Sequence, residues 1–216
     1  MKITSLENPL VKHFIKLREK RSYREEHNSI LVASEKLINE LSQTVKPKKI
    51  LTEASEAVFR KITGQKSPSN IVAEFPLPTP SSLRSLNHVL VLDAVQDPGN
   101  LGTLLRTALA LGWEGVLFLE GCSDPFNEKA FSASRGALFR LPFAFGGLDL
   151  IDAPLLVASL DGVKPSYRKR CALVLGNEGS GSTVLGEKVS ISHKGDMESL
   201  NVAAAGSILM YALNDG

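Results

Sequence analysis

Residues 93–106 read Asp93-Ala94-Val95-Gln96-Asp97-Pro98-Gly99-Asn100-Leu101-Gly102-Thr103-Leu104-Leu105-Arg106. They follow His88–Leu92, a continuous apolar run of the kind that forms a strand buried on both faces of a parallel sheet. The stretch predicts a strand, a tight Pro-Gly turn, and a helix over Gly102–Leu111 that Gly112 ends. A polar amide, Asn100, falls in the loop, and a cation, Arg106, falls on the adjoining helix face. In open α/β sheets, ligands bind beyond the carboxyl ends of the strands. Both residues are therefore placed to meet an anionic substrate.

Working outward, strands and helices keep alternating. Strands are expected at Gly115–Leu119, Leu155–Ser159, Cys171–Leu175 and Val189–Ile191, and helices at Phe126–Ala133 and Leu200–Leu213. Alternating βα units imply a parallel sheet with helices on both faces. Upstream, Asn8 or Ser5 caps a first helix with Pro9 in its first turn. Its apolar stripe is Leu10, Val11, Phe14 and Leu17, and its charged face carries Lys12, Lys16, Arg18, Lys20, Arg21 and Arg24. Short strands at Ile30–Val32, Lys48–Thr52 and Ile71–Ala73, with helices between them, complete a small α/β unit over residues 1–75. Residues 76–82 hold Pro76, Pro78 and Pro80 and then two serines. This reads as a semi-rigid linker over residues 76–86 or as an extended loop within one domain. A second domain spans residues 87–216.

The composition, 43% hydrophobic and 22% charged, is that of a globular protein with ample material for a core. No apolar run approaches the ~20 residues needed to span a bilayer, and Met1–Glu7 lacks the apolar stretch of a signal peptide. Cys122 and Cys171 lie far apart and suggest a reducing, cytoplasmic setting, with both thiols read as core residues. The net charge of +2 conceals an asymmetry: residues 1–70 carry 14 Lys+Arg against 8 Asp+Glu, and residues 71–216 carry 11 against 15. The basic bias suits phosphate, and it equally suits a solvated helical face.

Two more polar clusters follow expected strands. Gly176-Asn177-Glu178-Gly179-Ser180-Gly181 is glycine-rich and admits close approach of a ligand to backbone. It has neither the dinucleotide spacing nor the Gly-Lys-Ser/Thr of a phosphate loop, and a plain loop fits it as well. In Glu198-Ser199-Leu200-Asn201, Ser199 is the sensible N-cap of the last helix, and Asn201 falls in its first turn without a structural role. Arg106 either snorkels from its apolar helix or binds phosphate. No nucleophile elbow is present. His13, His27, His88 and His193 are scattered, so no metal site is expected.

Taken together, the three clusters resemble the signature motifs of the SpoU family of RNA ribose 2′-O-methyltransferases, within the SPOUT superfamily. The first matches through Asp97–Gly102 and Arg106. The second matches through Leu175–Gly179, and the third through Ile191 and Glu198–Ala203. Ser134–Pro142 is similar to a segment between motifs. The N-terminal part looks like an L30e-like RNA-binding domain through Asn8–Lys12 and Leu31-Val32. Two positions depart: Ser192-His193 follows Ile191 where the family usually has Pro, and Ala33-Ser34 follows Val32 where it usually has Glu-Gly. The resemblance implies an α/β fold with a trefoil-knotted, parallel-sheet methyltransferase domain and a homodimer packed through the last helix and the first-motif helix. It also implies S-adenosylmethionine held by Leu175, Gly176, Ile191 and Leu200. Arg106, Asn100, Glu178, Ser199 and Asn201 then match the catalytic positions, with ribosomal RNA favoured over tRNA as partner. The alternatives are a tRNA 2′-O-methyltransferase, a catalytically decayed RNA-binding assembly factor, or a nucleotide-binding enzyme unrelated to RNA.

Overall fold

Pro9 opens the first helix of the computed structural model, which describes residues 2–177, 179–192 and 195–214. Helix α1 (Pro9–Glu19) is capped by Asn8, whose Oδ1 accepts from the Leu10 N–H at 2.9 Å. It buries Val11, Phe14 and Leu17. The helix stops at Lys20, and a further helix, α2 (Arg21–His27), follows that the sequence pattern did not reveal. Arg24 accounts for the break. It is buried, and its Nη1 donates to the carbonyls of Leu17 and Arg18 at 2.9 and 3.0 Å, satisfying the open end of α1. Arg24 thus leaves the exposed basic face on which the sequence placed it.

Strand β1 (Ser29–Val32), helix α3 (Glu35–Leu41), strand β2 (Lys49–Leu51), helix α4 (Glu56–Thr63) and strand β3 (Val72–Pro76) complete the first unit. Ser34 and Ser55 cap α3 and α4, and Gly64 ends α4 in the left-handed region at φ +69°. The sheet order is β1-β3-β2, with both pairings antiparallel. Phe14, Leu31, Val58, Phe59, Ile62 and Val72 form its core.

Glu74 on the central strand is almost fully buried. Its Oε2 lies 3.0 Å from His13 Nε2 and 3.1 Å from Lys49 Nζ. Burial pushes its carboxyl up. Hydrogen bonds from His13, Ser29 and Lys49 outweigh that and hold it below the usual glutamate value.

The second unit comprises residues 79–125 and 129–216, the first having residues 1–78 and 126–128. Its elements are β4 (His88–Leu92), α5 (Pro98–Ala110), β5 (Gly115–Phe118), α6 (Glu128–Ser134), β6 (Phe143–Phe145), β7 (Leu155–Val163), β8 (Cys171–Leu175), β9 (Glu187–Val189) and α7 (Val202–Asn214). A 3₁₀ turn over Ala137–Phe139 links α6 to β6. The sheet order is β6-β5-β4-β8-β7-β9, and every pairing is parallel. Both β4 and β8 are buried at all five positions, as continuous apolar runs require. From β4 the chain walks outward through β5 and β6, while β8, β7 and β9 lie on the other side. The strand order therefore reverses between β4 and β8, the switch point at which such sheets bind ligands.

Several boundaries differ from the sequence expectations. Helix α5 begins at Pro98 rather than Gly102, and α7 begins at Val202 rather than Leu200. The last strand covers Glu187–Val189, leaving Ile191 beyond it, and the short strand β6 was not anticipated. Cys171 is buried as expected, and burial raises its thiol to about 11. Cys122 is only half-buried, in the turn after β5, so it is not the core residue that the sequence suggested. Among the described residues, no helix is long and apolar enough to cross a membrane.

Close helix packing rests on two glycines. A Cβ on Gly102 would overlap the backbone carbonyl of Ala130 and come within 2.6 Å of Ala133 Cβ, so α5 lies directly on α6. A Cβ on Gly206 would meet Leu175 and Leu104, which seats α7 against β8 and α5.

Two outcomes are expected. Alanine usually stabilises a helix interior relative to glycine by about 1 kcal/mol. Gly102→Ala should instead destabilise by about 1–3 kcal/mol, because the obstacle is backbone, as urea unfolding would measure. The stability from Glu74 is present above the ordinary glutamate pKa and falls as pH drops through its lowered native value. Glu74→Gln should therefore flatten the acid limb of the stability–pH curve.

Candidate functional site

Asp97 is the N-cap of α5, its Oδ1 accepting from the Asn100 N–H at 2.8 Å. Its Oδ2 accepts from Lys129 Nζ at 2.8 Å. The Lys129 bond and the Asn100 N–H hold this carboxyl below its usual range. Asn100 accordingly lies in the first turn of a helix and not in a loop. The Asp-Pro pair, a capping acceptor before a proline at the first helical position, is the sequence signal for that start.

Asn201 fills the corresponding place on α7. Its Oδ1 accepts from the Ala203 and Ala204 N–H groups at 2.9 and 3.2 Å, so Asn201 is the cap that the sequence assigned to Ser199. Its Nδ2 donates to Asn100 Oδ1 at 3.0 Å. One amide thus closes a helix and joins it to the other. Along the same interface the Ser207 hydroxyl lies 3.4 Å from that of Thr107, and Asn214 Nδ2 donates to the Leu111 carbonyl at 2.5 Å. The two helices therefore run parallel and in register, with both N-termini at the carboxyl edge of the sheet.

The loop after β8 is tied to the loop after β4. The Asp93 N–H donates to the Leu175 carbonyl at 2.9 Å, and the Ser182 hydroxyl donates to Asp93 Oδ2 at 2.6 Å. Asn177 Nδ2 donates to the carbonyl of Ala94, which is held in the left-handed region at φ +53°. Asn177 Oδ1 accepts from Gly179 and Ser180, and its backbone exchanges two bonds with Gly181 at 3.1 and 2.8 Å. A Cβ on Gly176 would overlap the backbone of Gly181 and Ser182. The glycine at 176 is thus required by the loop folding back on itself.

Of the expected site residues, the structure brings Asn100 and Asn201 into contact, and it places Leu175 and Gly176 at the end of β8. Leu175 is buried and Gly176 half-buried. Ile191 is half-buried two residues past β9, and Leu200 is 40% exposed two residues before α7. Ser199 is exposed and has no hydrogen bond to a described residue. Arg106 is exposed on α5, with no partner among the described residues. Glu178 lies outside the described residues. Asp93, Lys129 and Ser182 support the site and were not singled out from the sequence. The Lys129–Asp97 and Ser182–Asp93 bonds span 32 and 89 positions, beyond any local pattern.

The model of the SpoU rRNA Methylase family matches residues 87–211. A 23S rRNA (guanosine(2553)-2′-O)-methyltransferase of Bacillus subtilis is 34% identical, with 98% of each chain covered. An uncharacterized tRNA/rRNA methyltransferase of Synechocystis is 27% identical over 97% of this chain and 92% of its own. An AdoMet-bound rRNA methyltransferase from Sinorhizobium meliloti superposes with a TM-score of 0.86 at 28% identity, covering 98% of this chain and 96% of that one.

Because Asn201 both caps α7 and holds Asn100, Asn201→Ala should destabilise the second unit by about 1–2 kcal/mol. Asn201→Ser keeps a capping acceptor and should recover most of that in thermal unfolding.

Proposed function

The chain belongs to the SpoU rRNA Methylase family, and from that premise we propose that it transfers a methyl group from S-adenosylmethionine to a ribose 2′-hydroxyl in ribosomal RNA. What carries this reading is the Asn100–Asn201 bond, which unites the first and third motifs at the switch point of the sheet. The whole-length likeness to a Bacillus subtilis enzyme named for 23S rRNA 2′-O-methylation supports rRNA as the substrate.

The chemistry of the residues present fits the cofactor. Half-buried Ile191 and exposed Leu200 leave apolar surface near the carboxyl edge, suited to an adenine ring, and Leu175 and Gly176 offer main chain at the end of β8. These four would hold it. When bound, it supplies an electrophilic methyl on sulfur. Its thioether would be the leaving group, and the hydroxyl proton would pass to solvent water.

The chain's own task is to position the hydroxyl and ease the loss of its proton. Arg106 binds the nucleotide phosphate and polarises the hydroxyl. Its guanidinium acts here as a forked, charged hydrogen-bond donor to phosphate oxygens. Asn100 and Asn201 fix the floor of the site and Ser199 lines it, while Glu178, outside the described residues, is assigned to the same role by its place in the second motif.

The finer architecture belongs to the same proposal. The segments around the second and third motifs form a trefoil knot. Residues 1–75 are an L30e-like domain that binds RNA, and residues 76–86 form the linker to a methyltransferase domain over 87–216. The enzyme works in the cytoplasm as a homodimer. In support of the dimer, α7 exposes an apolar stripe of Ala204, Ile208 at 46% and Tyr211 at 58%, spaced as one helical face.

Labelled methyl should pass from S-adenosylmethionine to unmodified 23S rRNA and be recovered as a 2′-O-methylnucleoside after nuclease digestion. Arg106→Ala should lose that transfer by roughly 100-fold or more while still binding the cofactor; full activity in the variant would remove Arg106 from the mechanism. Ile208→Asp with Tyr211→Asp should shift the protein to monomers in sedimentation, and an unchanged mass would exclude α7 as the interface.

A further inference from the structure

Seven of the ten guanidinium groups in this molecule are engaged by described residues. Those of Arg18, Arg24, Arg84 and Arg170 donate to carbonyl oxygens, and those of Arg21, Arg60 and Arg168 to carboxylates. Three are not: Arg106, Arg135 and Arg140 are exposed, and no described residue accepts a bond from their side chains. All three belong to one layer of the second unit. Gly102 of α5 packs on Ala130, Ala133 and Ser134, so Arg135 starts immediately beside the turn that carries Gly102. Arg106 lies four residues, hence one helical turn, beyond Gly102. The 3₁₀ turn Ala137–Phe139, which packs against α5, ends at Arg140.

The backbone at Arg135 is the second observation. Its φ is +55°, and Gly136 follows at +69°. A left-handed residue after a helix is ordinarily glycine, because a Cβ is unfavourable there. At position 135 a long charged side chain occupies such a place, exposed and without a partner among the described residues. Nothing within the described fold uses it.

We infer that Arg135 and Arg140 extend from Arg106 as a track for RNA phosphates, gripping the backbone beside the nucleotide whose ribose is methylated. This rests on the RNA reading above and adds two binding residues to it. A planar guanidinium suits phosphate oxygens, to which it donates two parallel bonds. The partner is the phosphodiester chain and not a base edge, so the contribution is independent of sequence and sensitive to salt.

The test is retention of an unmethylated 23S rRNA transcript by the full-length protein across a range of salt concentrations, with wild type beside an Arg135→Gly, Arg140→Ala double variant. Each phosphate contact contributes about 0.7–0.9 to the slope of log affinity against log salt. The double variant should lose about 1.4–1.8 of slope and on the order of tenfold in affinity at low salt. Arg135→Gly alone should melt at or above the wild-type temperature, since glycine takes this φ freely. That separates lost binding from lost folding. An unchanged slope, with or without an affinity change, overturns the track. Wild-type protein that fails to retain the transcript overturns the RNA reading, and the track with it.

Discussion

The parallel contact between α5 and α7 is the constraint on which the second unit depends. The two helices stem from segments about 100 residues apart in sequence, yet they are joined at their starts, middles and ends by Asn100–Asn201, Thr107–Ser207 and Leu111–Asn214. Gly206 permits the approach by leaving room for Leu104 and Leu175. A larger residue there would press on the strand end and on the helix at once. Because α7 is held in register with α5, the loop that precedes it is delivered to the same edge of the sheet as the turn after β4. The two motif asparagines meet as a consequence of helix packing, and their side chains also serve as capping and joining groups. The polar floor of the site and the stability of the fold are therefore the same set of hydrogen bonds.

Much of the architecture was legible in the chain because its cues are local. Apolar runs such as His88–Leu92 and Cys171–Leu175 announced strands buried on both faces, and they proved to be adjacent parallel strands at the centre of the sheet. Asn8 and Gly112 marked helix boundaries through capping chemistry that acts within three or four residues. The misplaced boundaries share a cause. Asp97 and Asn201 take their capping roles in competition with other polar residues nearby, and only the geometry decides between Ser199 and Asn201. Helix α2 was missed because its separation from α1 depends on Arg24 turning inward, and a charged residue read from sequence is ordinarily assigned to the surface. Strand β6 is three residues long, below what periodicity can resolve.

The candidate site was legible as three polar clusters at strand ends, in the order that the family resemblance expects. The means of support were hidden. Ser182 reaches Asp93 across 89 positions, and Lys129 reaches Asp97 across 32. Both are charge-assisted bonds between exposed or half-exposed groups, with no sequence signature. Gly176 was read as a place for a ligand to approach the main chain. Its missing side chain is needed first by the returning backbone of Gly181 and Ser182. A glycine in a binding loop can therefore be demanded by the loop's own closure.

The common direction of α5 and α7 has an electrostatic consequence. Each is a helix of 13 residues, and a helix of that kind carries roughly half an elementary positive charge at its N-terminus. Antiparallel neighbours would cancel their dipoles, whereas these two add theirs at a single edge. That edge thereby gathers positive partial charge from peptide groups, set against the Asp93 and Asp97 carboxylates, although residues 71–216 hold fewer basic than acidic side chains. This contribution comes from peptide groups, which no count of lysines and arginines records and no change of pH removes.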